Sequence, residues 1–189
     1  MNKIKRKIAV IALVAMLMTL YTQGTLAYES VIGTATNVVT TGRISFAIHE
    51  TTDKGTAFPE GGVWVEPGDV VSKRVSIENI CTHPFYLRVK MNYGVDDEKL
   101  SAADCFSVNV DETMWQLVDG WYYYKGIVKP GQTTPYMFTE VEVLEGKVNW
   151  RYTGRTLTMT VVAQAVQSEN NPVSGTDTFK ALGWPQEEV

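Results

Sequence analysis

The pattern of apolar and polar positions changes character near residue 28. Before it, Lys3, Lys5, Arg6 and Lys7 lead into a run from Ile8 to Leu20 that is apolar apart from Thr19. Beyond it, apolar and polar residues alternate in short runs. Ile44, Phe46 and Ile48 share one face of residues 43–50. Val71, Val75 and Ile77 share a face opposed by Ser72, Arg74, Ser76 and Glu78. Phe85, Leu87, Val89 and Met91 alternate with Tyr86, Arg88, Lys90 and Asn92, and Phe106, Val108 and Val110 repeat the pattern. Leu157, Met159, Val161, Ala163 and Ala165 do the same against Thr156, Thr158, Thr160 and Gln164. A period of two gives a strand one buried and one wetter face, as in an antiparallel sheet.

Turn chemistry separates these runs. Glu66-Pro67-Gly68-Asp69 and Lys129-Pro130-Gly131-Gln132 predict type II turns, because proline presets the first central dihedral and glycine accepts the positive second one. Asp119-Gly120, between residues 114–118 and 121–125, predicts a tight hairpin. Residues 55–62 and 168–175 read as loops, and residues 177–182 as at most a turn or two of helix. About eight to ten strands at turn-bounded spacing predict one all-β domain, a two-sheet sandwich or jelly roll.

The first stretch reads as a cleaved signal peptide, residues 1–27. Its apolar core of 13 residues is well short of the roughly 20 that cross a bilayer as a helix. Thr25-Leu26-Ala27 ends in a small residue, which places cleavage between Ala27 and Tyr28; the alternative is a retained N-terminal anchor. Cleavage leaves 162 residues carrying 13 basic and 21 acidic side chains, a net charge of −8. So acidic a chain is not built for nucleic acid or an anionic membrane surface. Export permits a disulfide between Cys81 and Cys105, although both equally suit small buried apolar positions.

Catalytic patterns are missing. His49-Glu50 opens like a zinc-protease motif, but Asp53 stands where the second histidine belongs, and an alternating strand cannot place both ligands as a helix would. There is no Gly-x-Ser-x-Gly elbow, and Gly61-Gly62 runs into valine and tryptophan rather than a phosphate-binding lysine. Cys81 and His83 lack a third orienting group, and Asp96-Asp97-Glu98 reads as a solvated turn. The sequence therefore predicts no enzyme, no metal site and no cofactor. The aromatic run Trp121-Tyr122-Tyr123-Tyr124 offers one other candidate. Alternation sends Trp121 and Tyr123 to one face and Tyr122 and Tyr124 to the other. One pair belongs in the core, and the other, Tyr122 and Tyr124, is a candidate exposed face for glycan or protein; cross-strand packing within the domain is the plainer alternative.

Residues 20–28, Leu-Tyr-Thr-Gln-Gly-Thr-Leu-Ala-Tyr, followed by Gly33-Thr34-Ala35-Thr36-Asn37-Val38-Val39-Thr40-Thr41-Gly42, resemble the export signal of the TasA/camelysin family. Val65 to Asp69, Val75 to Asn79, Val128 to Phe138 and Ala181 to Trp184 extend the likeness over most of the chain. The resemblance implies processing by the signal peptidase SipW of Gram-positive bacteria. It also implies a jelly-roll domain over residues 43–189 that is secreted to the extracellular matrix or cell surface. In that family, biofilm matrix fibres form when the N-terminal segment of one subunit adds as a strand to the next. Residues 28–42 map onto that donor segment, with Tyr28, Ser30, Val31, Ile32, Thr34 and Thr36 as its small, β-branched or aromatic positions. The expected partners are further copies of the chain or other matrix proteins. Secreted binding or accessory modules form the alternative class. Camelysin is described as a metalloprotease, but the metal-ligand set for that activity is missing here.

Overall fold

The computed structural model describes residues 44–185. The expectations for the signal peptide, the Ala27–Tyr28 cleavage site and the donor segment with Tyr28, Ser30, Val31, Ile32, Thr34 and Thr36 lie outside the described residues. Eight strands follow in order: β1 (Phe46–Thr51), β2 (Val70–Asn79), β3 (Phe85–Val95), β4 (Phe106–Val108), β5 (Trp115–Val118), β6 (Trp121–Tyr124), β7 (Phe138–Val143) and β8 (Leu157–Gln167). Two single 3-10 turns, Trp150–Tyr152 and Thr178–Lys180, are the only helical elements among the described residues. No helix among them is long and apolar enough to cross a membrane.

The strands form two antiparallel four-stranded sheets, ordered β1-β2-β7-β4 and β5-β6-β3-β8. A single apolar cluster takes side chains from both. Phe46, Val75, Ile77, Phe138 and Val141 come from the first sheet; Phe85, Leu87, Val89, Trp115, Tyr124, Val161, Ala163 and Ala165 come from the second. The core therefore lies between the sheets, and each full burial of such a side chain contributes about 1.5–3 kcal/mol.

The turns form as their residues dictate. Asp119 and Gly120 both have positive φ, 49° and 79°, which is the type I′ geometry that matches strand twist in a two-residue hairpin. In both Pro-Gly turns the fourth residue's N–H donates to the first residue's carbonyl, Asp69 to Glu66 at 3.0 Å and Gln132 to Lys129 at 2.9 Å. One detail departs from the simple alternation. Three steps of β2 from Ser72 to Val75 face two steps of β7 from Glu140 to Phe138, a β-bulge. Val75 and Ile77 are buried beyond it, whereas Val71 before it is only half-buried. The bulge leaves Lys73 buried, with its Nζ 3.1 Å from the Glu50 carboxylate and 4.8 Å from the centre of the Phe58 ring.

Asn79 closes β2 and organises one corner of the fold. Its side-chain N–H groups donate to the carbonyls of His83 (2.9 Å) and Val128 (2.8 Å), and its Oδ1 accepts from the Cys81 N–H (2.9 Å). Its backbone meanwhile binds Gly131 and Gln132 of the second Pro-Gly turn. One buried amide thus joins the β2–β3 connection to the β6–β7 connection.

Candidate functional site

The aromatic strand β6 is buried on both faces. Tyr124 belongs to the inter-sheet core, its ring 5.3 Å from that of Trp115 across the hairpin, and half-buried Tyr122 packs against the same cluster. Burial pushes both phenols above their ordinary pKa, with the Glu112 charge adding to the effect at Tyr122. The Tyr122 and Tyr124 pair is therefore not the exposed face expected from the sequence. Parity separated the two pairs correctly, but this one points inward, because β6 turns it toward the facing sheet.

The opposite pair, Trp121 and Tyr123, is covered by a cap contributed from elsewhere in the chain. Arg88 on β3 is only 7% exposed and spreads its guanidinium across this face. Its Nε and Nη2 both donate to Gln164 Oε1 (2.9 and 2.6 Å), its Nη1 to Tyr123 Oη (3.0 Å), and its Nη2 to the Pro185 carbonyl (2.6 Å). The cation lies 4.2 Å from the Trp121 ring centre and 5.0 Å from that of Trp184. Trp184 stands edge-on to Tyr123 at 5.3 Å. Tyr86, Val166 and Ala181 form a second small core beside them, with Val173 and Trp184 packed on it. The wetter face predicted for β3 is thus a second buried layer at Tyr86 and Arg88, held by neutral oxygens and aromatic rings around one guanidinium, and becomes exposed by Asn92. This is a structural clamp on the C-terminal segment.

The other polar candidates are dispersed. His49 Nε2 is 2.8 Å from Glu78 Oε2, and His83 Nδ1 is 3.1 Å from Glu169 Oε2, both on the surface. The Gln167 amide, with help from His83, holds the Glu169 carboxyl below its usual range. Asp97 of the acidic turn pairs with Arg155 at 2.8 Å. Cys81 Sγ donates to the His83 carbonyl, not to its ring. The two cysteines are free: Cys81 packs on the inter-sheet core, and Cys105 is buried in a third cluster with Val143 and Val148. The bridge left open by the sequence is not formed, since each thiol fills a separate apolar site. Among the described residues no group of three or more His, Cys, Asp or Glu side chains could hold a metal ion.

The sheet edges are more informative. Among the described strands the edges are β1 and β4 in one sheet, β5 and β8 in the other. β4 and β5 are three and four residues long, and β1 carries His49 and Glu50. Short or charged edges resist pairing with a further chain. β8 has neither defence. Its eleven residues, Leu-Thr-Met-Thr-Val-Val-Ala-Gln-Ala-Val-Gln, include no charge and no proline. Among the described strands it pairs only with β3, along its full length from Leu157 to Gln167.

Two exposed tryptophans were not singled out from the sequence. Trp64 is 99% exposed in the β1–β2 connection, and Trp150 is 83% exposed in the β7–β8 connection. Their signal was their position: neither lies in an alternating run, and both sit among glycines, prolines or charges. Comparison with protein-family models, with curated proteins and with solved structures gives no match for this chain.

Proposed function

We propose that this chain is an exported structural subunit of an extracellular matrix or cell surface, of the TasA/camelysin type, that assembles by strand donation. Residues 28–42 of one copy are the donor, and the outer edge of β8 in the next copy is the acceptor. The observation that carries this reading is the β8 edge: eleven uncharged, proline-free, β-branched-rich residues with one side unpaired among the described strands. Such an edge is a template for a further strand. A donor of 15 residues extends about 50 Å and an eleven-residue edge about 36 Å, so the segment is long enough to follow it. The resemblance of residues 20–42 to a SipW-processed signal supplies the export route.

A jelly-roll topology fits the same proposal. β2 pairs with β7 and β3 pairs with β6, nested as in one long antiparallel hairpin rolled over on itself. β1 and β8 then extend the two sheets at their edges. The glycan-binding alternative rested on Tyr122 and Tyr124, and both pack on the inter-sheet core.

Electron microscopy of purified chains starting at Tyr28 and at Gly42 tests the reading. The longer chain is expected to form fibres and the shorter one to remain dispersed. Because donation runs head to tail, each copy both gives and receives a strand, and the product is an open filament rather than a closed ring. Equal fibre formation by both chains would remove the donor segment from the mechanism.

A further inference from the structure

We propose that the end of the domain carrying Trp64 and Trp150 is a self-docking surface, through which two copies of this chain pair about a two-fold axis. The two tryptophans flank one small core. Val65, next to Trp64, packs on the cluster of Cys105, Val143 and Val148, and Val148 lies two residues before Trp150. Backbone bonds hold the end of the Trp64 connection against the last residue of β7, from which the Trp150 connection leaves: Gly68 N–H to the Val143 carbonyl (2.7 Å) and Val143 N–H to the Asp69 carbonyl (2.9 Å). Inner residues of both connections are thus anchored in the fold, while Trp64 and Trp150 stay in water. Val63 beside Trp64 is also exposed. Fully exposed tryptophans at anchored positions mark an interaction surface rather than a folding requirement.

Charge identifies the partner. The Trp64 connection carries Glu60, Glu66 and Asp69, all exposed. Asp53 and Lys54 in the same connection offset each other, while the Trp150 connection carries exposed Lys147 and Arg151 against one exposed acid, Glu145, its Arg155 being paired with Asp97. None of Glu60, Glu66, Lys147 and Arg151 forms an ion pair with another described residue. An acidic tryptophan loop beside a basic one is complementary to its own two-fold image: each basic loop meets the acidic loop of the other copy. The tryptophans supply most of the area, and exposed Val63 with the loop backbones adds to it. A tryptophan buries about 150–250 Å², so four from two copies supply roughly 600–1,000 Å², near the roughly 1,000 Å² of a specific interface.

This surface does not rest on strand donation, although Leu157, the first residue of the β8 acceptor edge, packs on the same small core. β1 starts beside Asn79, at the far end of β2 from these loops, so the segment leading into β1 joins the opposite end of the domain. Paired copies would link filaments side by side.

Sedimentation velocity, which separates two-chain species from fibres, provides the test. The protein is expected to show a concentration-dependent dimer. W64A/W150A should weaken it more than roughly 100-fold, since each exposed anchor counts twice in a two-fold interface. At concentrations where the unsubstituted protein is monomeric, the variant's thermal unfolding should be unchanged, because neither side chain is buried. K147E/R151E makes both loops acidic, and E60K/E66K makes both basic, so each variant alone should be monomeric. An equimolar mixture of the two should dimerise again. The proposal is overturned by a monomer at all concentrations, by an unchanged dimer in W64A/W150A, or by charge variants that fail to associate on mixing.

Discussion

Replacing Asn79 by aspartate is expected to destabilise the protein more than replacing it by alanine, by an amount that grows as pH rises. Asn79 is 0% exposed and makes three side-chain hydrogen bonds. Asn79→Ala deletes all three. At about 1 kcal/mol each, the loss is about 3 kcal/mol, a large share of a domain's usual 5–15 kcal/mol. Asn79→Asp keeps the shape but sets a carboxylate oxygen against the carbonyls of His83 and Val128, where the amide had donated. An unpaired buried charge raises the loss to about 4–5 kcal/mol at neutral pH. Protonated, the same carboxyl donates one hydrogen bond, so its pKa rises on folding. The folded state then binds more protons than the unfolded one, and stability present at acid pH is lost as pH climbs through the raised value. Urea unfolding from about pH 4 to about pH 8 checks this. The aspartate variant should approach the alanine variant at the acid end and fall below it at the neutral end.

Arg88→Met is expected to release the C-terminal segment from the outer face of the second sheet. The substitution fills similar volume but leaves Gln164 Oε1, Tyr123 Oη and the Pro185 carbonyl without their donor. Hydrogen bonds to a charged group contribute about 1.5–3 kcal/mol each. Relief of the buried charge offsets part of that sum, which leaves a net loss of about 2–4 kcal/mol. Arg88→Lys should not rescue it, because a compact ammonium cannot serve Gln164, Tyr123 and Pro185 in one plane while stacking on Trp121 and Trp184. Limited proteolysis reads the result directly: cleavage within residues 168–185 should accelerate in both variants while the inter-sheet core stays protected. Equal protection of that segment in Arg88→Met would show that the rings alone hold it.

The core-facing sides of β3 and β8 were legible in the sequence, because apolar inward positions alternate with polar outward ones at a period of two. Phe85, Leu87 and Val89 follow it, as do Val161, Ala163 and Ala165. The Asp119-Gly120 hairpin and both Pro-Gly turns were legible for a local reason, since their dihedrals depend on the residues themselves. Three features were not. The bulge between Ser72 and Val75 is a property of the β2–β7 pair, and neither strand alone reveals it. The buried outer face of β3 depends on residues 173–185, distant in sequence, so Arg88 looked like an ordinary solvated side chain. Tyr122 and Tyr124 were separated from Trp121 and Tyr123 by parity, but parity gives no sign of which face meets a partner when both are covered. Trp64 and Trp150 lie outside every alternating run, so periodicity says nothing of them and only the structure shows their exposure.

Hydrogen exchange of the chain starting at Gly42, with and without a synthetic peptide of residues 28–41, tests the donor-strand account most directly. If that peptide is the donor and β8 the acceptor, the outward-facing amides between Leu157 and Gln167 should gain protection on peptide addition, and those of β1, β4 and β5 should not. No change along β8 at saturating peptide, or protection confined to another edge, would contradict it.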